Sequence, residues 1–333
     1  MDMNPTQIPT ISTPQQFSVL MDELSSSAWT LAAIGVLFDS GLADQLREPS
    51  TLDELALRCP TLARERIERC VAVAVLRGVV ALEAGRYQLA PGVLPALDPG
   101  RRTILQGDYR SELLQAAAYL RAAAGAATGW HHTDPVILQA QGNGSAMFAF
   151  ALKGNLAPQL DDLPARLERP EARFLDVGTG VGALAIAMCR AYPRLRVVGL
   201  DPGEAPLALA RANVSGAGLG DRIELRQLRV QALLDEAAFD LAWLPAFFLG
   251  RREDVPPALE RIRTALRPGG WVLIPSLNPH AGEAERAVRS LVLESWGGPV
   301  LAAPESEALL KEAGFVPRSI PGPSWLTLVA GQR

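Results

Sequence analysis

Apolar positions recur at three- and four-residue spacing through Phe17, Leu20, Met21 and Leu24, then merge into the apolar run Trp29 to Phe38. This pattern predicts a helix over 15–40. A helix apolar on most sides is expected to be buried, against the chain itself or another subunit. Residues 1–14, with Pro5, Pro9 and Pro14, predict a disordered or strand-like lead-in. Thr51 with Glu54 three residues later is a capping-box pattern and opens a helix. A second helix is expected from Arg64 to Gly78, packing Ile67, Cys70, Val71, Ala74 and Val75. Two short strands follow around Ala84-Gly85. Residues 101–168 read as Ala-rich helix broken at 129–135 (GWHHTDP) and 141–148 (QGNGSAMF). Beyond Pro170 the period changes. Strands are expected near 173–178, 196–200, 223–227, 239–244, 271–275, 314–320 and 325–331, with helices between most of them. That alternation predicts a parallel sheet with helices on both faces. Three sections result: 1–100, 101–170 and 171–333.

The order helix, helix, hairpin in the first section resembles a winged helix, a fold that can bind DNA through its second helix. Here that helix carries Arg64, Arg66 and Arg69 but also Glu65 and Glu68. Residues 1–100 hold 7 arginines, no lysine and 12 acids, a net of −5. The whole 333-residue chain has 32 basic and 36 acidic residues, net −4. A phosphate backbone selects a basic excess, so dimerisation or covering a substrate is the expected role, not nucleic-acid binding. Hydrophobic residues at 48% and charged residues at 20% exclude a disordered chain. Cys59, Cys70 and Cys189 are odd in number and form no CxxC pair, which disfavours a disulfide framework and a cysteine metal site. The first residues are polar and carry no signal-peptide pattern. The most apolar run, Val71 to Leu82, is cut by Arg77, short of the roughly 18 residues of a membrane span. A cytoplasmic protein without metal or membrane partner is expected.

The sharpest feature is Arg173-Phe174-Leu175-Asp176-Val177-Gly178-Thr179-Gly180-Val181-Gly182, running from a strand into the helix that begins ALAIAMC. Glycines there permit positive φ and close approach of the backbone to a ligand at a helix start. Gly178, Gly180 and Ala183 also satisfy the dinucleotide fingerprint, with Asp201 at a suitable distance. Three features argue against a dinucleotide. Asp176, two residues before the first glycine, would repel a pyrophosphate and attract a cation. The third glycine is Gly182, making G-x-G-x-G. And Arg267-Pro268-Gly269-Gly270 precedes the strand Trp271 to Ile274.

These residues resemble the class I S-adenosylmethionine (SAM)-dependent methyltransferases. The resemblance rests on Asp176 to Gly182, on Asp201 after its strand, and on Arg267 to Gly270. Lys311-Glu312-Ala313-Gly314-Phe315 and the final strand Trp325 to Val329 also fit. The first section extends the likeness to small-molecule O-methyltransferases that dimerise through an N-terminal winged-helix domain. The resemblance implies a Rossmann-like seven-stranded SAM domain, a homodimer and an enzyme of small-molecule, secondary metabolism. It implies that Asp176, Gly178, Thr179, Gly180 and Gly182 hold SAM. Asp201 would accept from the ribose hydroxyls, with Pro202, Leu228, Arg229, Trp243 and Leu244 nearby. Asp201 also admits a plainer reading, as a helix N-cap. Gln139, Asn143, Phe148, Phe247 and Phe248 are the expected substrate side.

Two departures from the family are visible. By position Arg229 stands where the family carries an acid near the adenine amino group; it either stacks on adenine or is merely solvated. The family's catalytic histidine after the fourth strand is also missing, and its place falls at Leu249 or nearby. A phenol has a pKa of about 10 and general-base help is worth roughly 10²–10⁴ in rate, so the base must come from elsewhere or the reaction must need none. His131 or His132, with Asp134 as orienter, is one candidate; His280 is another. Alternatively, Trp243, Phe247 and Phe248 would face a sulfonium by cation–π attraction. The chain would then close SAM's own aminobutyrate arm to azetidine-2-carboxylate, releasing methylthioadenosine.

Overall fold

The computed structural model describes residues 10–121, 130–322 and 325–333. The chain divides into two compact units, Met1–Ala117 and Ala118–Arg333.

In the first unit, α1 (Pro14–Asp39) starts from a capping box in which Thr13 and Gln16 satisfy each other's backbone. The extended or disordered stretch expected over 1–14 falls largely on residues 1–9, outside the described residues. α1 is only half buried. Gly35, Leu37 and Phe38 enter the core, while Phe17, Met21, Leu24 and Trp29 are exposed, Trp29 by 76%. The single chain thus leaves uncovered the apolar half that the sequence predicts to be buried. α2 (Leu42–Gln45) and α3 (Leu52–Arg58) follow. The expected capping box is present: Thr51 Oγ1 accepts from Glu54 N at 3.2 Å and Glu54 Oε2 from Thr51 N at 2.8 Å. α4 (Arg64–Leu76) buries Ile67, Cys70, Val71 and Ala74. β1 (Val80–Glu83) and β2 (Arg86–Leu89) form an antiparallel hairpin. Its turn residues Ala84 and Gly85 both have positive φ, +47° and +77°, as a two-residue hairpin requires. The division into units falls within α5 (Pro99–Arg121).

The second unit opens with α6 (Pro135–Ser145), α7 (Met147–Ala151) and α8 (Leu163–Leu167). The break expected within 141–148 falls at Ala146, between α6 and α7, and not at the glycines. α6 runs straight through Gly142 and Gly144, so Gly-Asn-Gly-Ser is helix and not a turn. The physical reason is packing: a Cβ at Gly142 would lie 2.2 Å from Val181 Cγ2. The glycine is needed for contact, not for bending.

The sheet follows: β3 (Arg173–Val177), α9 (Ala183–Ala191), β4 (Arg196–Asp201), α10 (Glu204–Gly216) and β5 (Ile223–Gln227) form its first half. β6 (Phe239–Trp243), α11 (Val255–Ala265), β7 (Leu266–Leu277), α12 (Glu283–Ser295), α13 (Ala303–Glu312), β8 (Val316–Pro321) and β9 (Leu326–Gln332) complete it. The seven strands lie in the order β5-β4-β3-β6-β7-β9-β8. The first five are parallel, but β9 pairs antiparallel with both β7 and β8. The sheet is therefore mixed, not wholly parallel, because β8 and β9 are joined by a short connection that must reverse direction. Side chains alternate across it. Phe174, Leu241, Trp271 and Leu273 face one core, with Leu184, Ala185 and Met188 of α9. Leu175, Val177, Ala242, Val272 and Ile274 face the other, with Ala258, Leu259 and Ile262 of α11. β3 and β6 are neighbours although two strands separate them in sequence. The chain thus changes winding direction between them, and in open α/β sheets ligands bind at the carboxyl ends of such strands.

Candidate functional site

The site grows out of the turn after β3. Gly178, Gly180 and Gly182 adopt φ of +71°, +55° and +75°, values that side-chain-bearing residues rarely hold. The turn is wired to β4. Gly178 N and Thr179 N both donate to Leu200 O, at 2.8 and 2.9 Å. Gly180 N donates to Asp201 Oδ2 at 3.0 Å. Gly199 makes room for Thr179, since a Cβ there would stand 2.7 Å from Thr179 Oγ1. On its outer side the turn rests against α6 and α10. Asn213 Nδ2 donates to Val181 O at 2.9 Å and to Gln139 Oε1 at 3.0 Å, and Gln139 Nε2 donates to Asn143 Oδ1 at 2.8 Å. Gln139 and Asn143, expected near substrate, therefore bond to each other and brace the glycine turn.

Two carboxylates stand here. Asp176 is 1% exposed and accepts from Thr179 Oγ1 at 2.7 Å. Burial pushes its pKa up to about 7 against the opposing Thr179 bond, and the charge of Asp201 adds to the rise. Asp201 is half-buried at the end of β4. Burial raises its pKa as well, opposed by the N–H groups of Gly203 and Gly180. Its Oδ1 accepts from Gly203 N at 2.8 Å, yet Gly203, not Asp201, is the N-cap of α10.

A cleft opens at the carboxyl ends of β3 to β6. Of the expected site residues it gathers Gly178, Pro202, Leu228, Arg229 and Phe248, together with Leu200, Val230, Pro245 and Asp254. Its walls do not include Asp176, Thr179, Gly180, Gly182 or Asp201, which lie beside it in and behind the glycine turn, nor Trp243, Leu244, Phe148 or Phe247. Trp243 is paired with Asp176 in the sheet register and lies against Phe148 with ring centroids 3.9 Å apart; Leu244 is fully buried.

Phe248 also belongs to an aromatic cluster. It stacks on Trp296 at 4.9 Å and meets Trp130 edge-on at 5.2 Å, while Phe247 lies 5.0 Å from Phe248 and 5.1 Å from Trp296. Nothing in the sequence around Trp296 marks it. It is an isolated tryptophan just past α12, and only its contacts reveal it. Gly298 lets this segment close on the turn after β6, because a Cβ there would sit 2.2 Å from Phe247 O. The histidines separate clearly. His132 is half-buried with its ring 4.6 Å from Trp130, and burial, then the charge of His131, lowers its pKa. His131 and His280 are exposed. Asp134 accepts from Val136 N at 2.8 Å and so caps α6. Leu249, at the expected position of the missing base, is a partly buried wall of the cleft.

The donor set suits a cationic ligand with a diol. Two carboxylates flank a turn whose glycines leave the backbone bare, and a Cβ at Gly178 would project to 3.9 Å from Pro245 across the cleft. Among the described residues no group of three His, Cys, Asp or Glu is placed to hold a metal ion, and no helix is long and apolar enough to cross a membrane.

Comparison with known proteins agrees with the geometry. Residues 174–270 match the family model described as a methyltransferase domain. The chain is 38% identical over 69 residues to a release factor glutamine methyltransferase of Rhodopirellula baltica, covering 20% of this chain and 23% of that protein. It is 30% identical over 161 residues to a trans-aconitate 2-methyltransferase of Variovorax paradoxus, covering 46% and 58%. The chain thus spans between about a quarter and three-fifths of those relatives' length. Over nearly its whole length it superposes on the mitomycin 7-O-methyltransferase MmcR, with TM-score 0.64, 21% identity, and 96% and 98% of the two chains covered. Residues 174–270 thus resemble a methyltransferase domain, and the chain has the class I fold seen in the SAM-dependent methyltransferases.

Proposed function

We propose that the protein transfers the SAM methyl group to a small molecule, with SAM in the cleft at the ends of β3 to β6 and His132 as the base. The observation that carries this reading is the convergence of Asp176 and Asp201 on the bare glycine turn. Asp201 spends one lone pair of each oxygen on Gly180 and Gly203, which leaves acceptor capacity for the ribose hydroxyls. Asp176 answers the positive charge of the methionine end. When bound, SAM supplies an electrophilic methyl on a sulfonium. The remaining tasks fall to this chain. His132 is neutral at pH 7 because its pKa is depressed, so it is ready to take the proton of an acceptor. Trp130 lies beside it, and Phe248 and Trp296 pack on Trp130; together they would exclude water, which strengthens electrostatic attraction inside the site.

The first unit fits a winged-helix-like dimerisation module in this reading, since the exposed Phe17, Met21, Leu24 and Trp29 need a cover. A homodimer in the cytoplasm, acting in secondary metabolism without nucleic acid, membrane or metal, completes the proposal.

A second reading is favoured by the aromatic turn after β6, where no titratable side chain replaces the missing histidine. There SAM is the sole substrate and is cyclised. One experiment separates the two. Purified protein is incubated with SAM, with and without a panel of hydroxyl- and amine-bearing acceptors, and the nucleoside product is identified. Methyl transfer gives S-adenosylhomocysteine only when acceptor is present; cyclisation gives methylthioadenosine without one. Under methyl transfer His132→Gln should lower kcat about 10²-fold or more, His131→Gln should not, and the wild-type rate should fall on the acid side as His132 is protonated. Methylthioadenosine released from SAM alone would refute methyl transfer as the activity.

A further inference from the structure

The cleft brings together two side chains of opposite charge from distant parts of the chain. Arg229 follows β5 and Asp254 immediately precedes α11. The Arg229 side chain makes no hydrogen bond or ion pair with any described residue. Asp254 is held firmly. Its Oδ2 accepts from Arg251 N at 2.9 Å, and its main-chain carbonyl accepts from Gln231 Nε2 at 3.2 Å. The second bond ties the start of α11 to the segment carrying Arg229, Val230 and Gln231. Asp254 Oδ1 takes no hydrogen bond from a described residue. A fixed carboxylate with one spare oxygen therefore stands in the wall of a cleft whose other walls include the apolar Leu200, Leu228, Val230 and Pro245.

Those four apolar residues suit the faces of a flat ring. A carboxylate at its edge accepts and does not donate, so it selects a ring that presents an amino group and disfavours one that presents an oxygen. Resting on the reading that SAM occupies this cleft, we propose that Asp254 is the specificity residue that accepts from the 6-amino group of the adenine. The task has moved from the end of β5, where Arg229 stands, to the start of α11. Arg229 then offers its donors to the same ring, a pairing that an acid at position 229 would prevent.

The test is calorimetric binding of S-adenosylhomocysteine and its 6-oxo counterpart, S-inosylhomocysteine, to the wild-type chain and Asp254→Asn. The asparagine oxygen can keep the bond from Arg251 N while its amide nitrogen turns a donor into the cleft. Wild-type protein should favour the 6-amino ligand by about tenfold or more, the worth of one mispaired buried hydrogen bond. Asp254→Asn should lose about tenfold on that ligand and narrow or reverse the preference. The ratio of two ligands within one variant is insensitive to a general loss of stability. An unchanged ratio in Asp254→Asn overturns the assignment. Wild-type protein that binds neither ligand overturns the SAM reading itself, and the assignment with it.

Discussion

Asp176→Asn isolates one buried carboxyl and keeps its shape. Burial pushes that carboxyl up to about 7 from an ordinary 3.8. The folded state therefore holds a proton that the unfolded chain has already released. The resulting stabilisation is fully present below pH 3.8 and is lost as pH rises through about 7. Each pH unit between those values is worth about 1.4 kcal/mol. The full span comes to about 4 kcal/mol. In a unit of this size that corresponds to a Tm difference on the order of 10 °C. Asparagine does not ionise and its amide oxygen can still accept from Thr179, so the variant lacks this loss. The assay is thermal unfolding of both proteins without ligand at pH 5 and pH 8. Wild type minus Asp176→Asn should move downward by several degrees between the two pH values. Binding should run the other way: a cationic ligand favours the carboxylate, so wild-type affinity for SAM should rise with pH through 7 while the variant's stays flat. A Tm difference that is the same at pH 5 and pH 8 would show that Asp176 does not titrate in this window and would refute the reasoning.

Gly142→Ala tests whether α6 is pressed against the glycine turn. Propensity alone would make alanine better by about 0.5–1 kcal/mol in a helix. The Cβ, however, would lie 2.2 Å from Val181 Cγ2, and overpacking costs about 1–3 kcal/mol; a lower Tm, recovered by adding Val181→Ala, is expected, and a rise in Tm would show the contact to be loose. Asp201→Ala removes the acceptor of both Gly180 N and Gly203 N. Calorimetry should find S-adenosylhomocysteine binding weaker by about 1–3 kcal/mol, with Asp201→Asn intermediate; undiminished affinity in the alanine variant would remove Asp201 from the ribose.

The parts legible in the sequence were those coded by neighbours. Thr51 and Glu54 announce α3 because the cap is closed by residues three apart. Gly178, Gly180 and Gly182 announce the turn because only local backbone geometry demands them. The strands of the second unit announce themselves through short apolar runs. Strand direction is different, since nothing in Leu326 to Gln332 says which way the strand lies beside β7, and the antiparallel close of the sheet went unread. Gly142 reads as part of a helix break because its reason for being glycine is Val181, about forty residues away. Trp296 and Asp254 were missed for a related cause. One is a lone tryptophan after a helix and the other sits in an unremarkable run of charges, Arg251 to Asp254. Both acquire meaning only when the turn after β6 is folded between them. The exposed half of α1 shows the converse limit: periodicity revealed an apolar face but not what would cover it.

The hydrogen bonds from Gly178 and Thr179 to Leu200 and from Gly180 to Asp201 are made wholly within the chain. A turn fixed in this way loses little freedom when a ligand arrives, so little affinity is forfeited to ordering it. Nor can it serve as a gate for release. In the proposed reading, turnover limited by product departure would be governed by Phe248, which lines the cleft, and by Trp130 and Trp296 packed on it. Because those groups are side chains and the turn is main chain, substitutions among the aromatic residues would change what is admitted and leave the geometry of the turn intact.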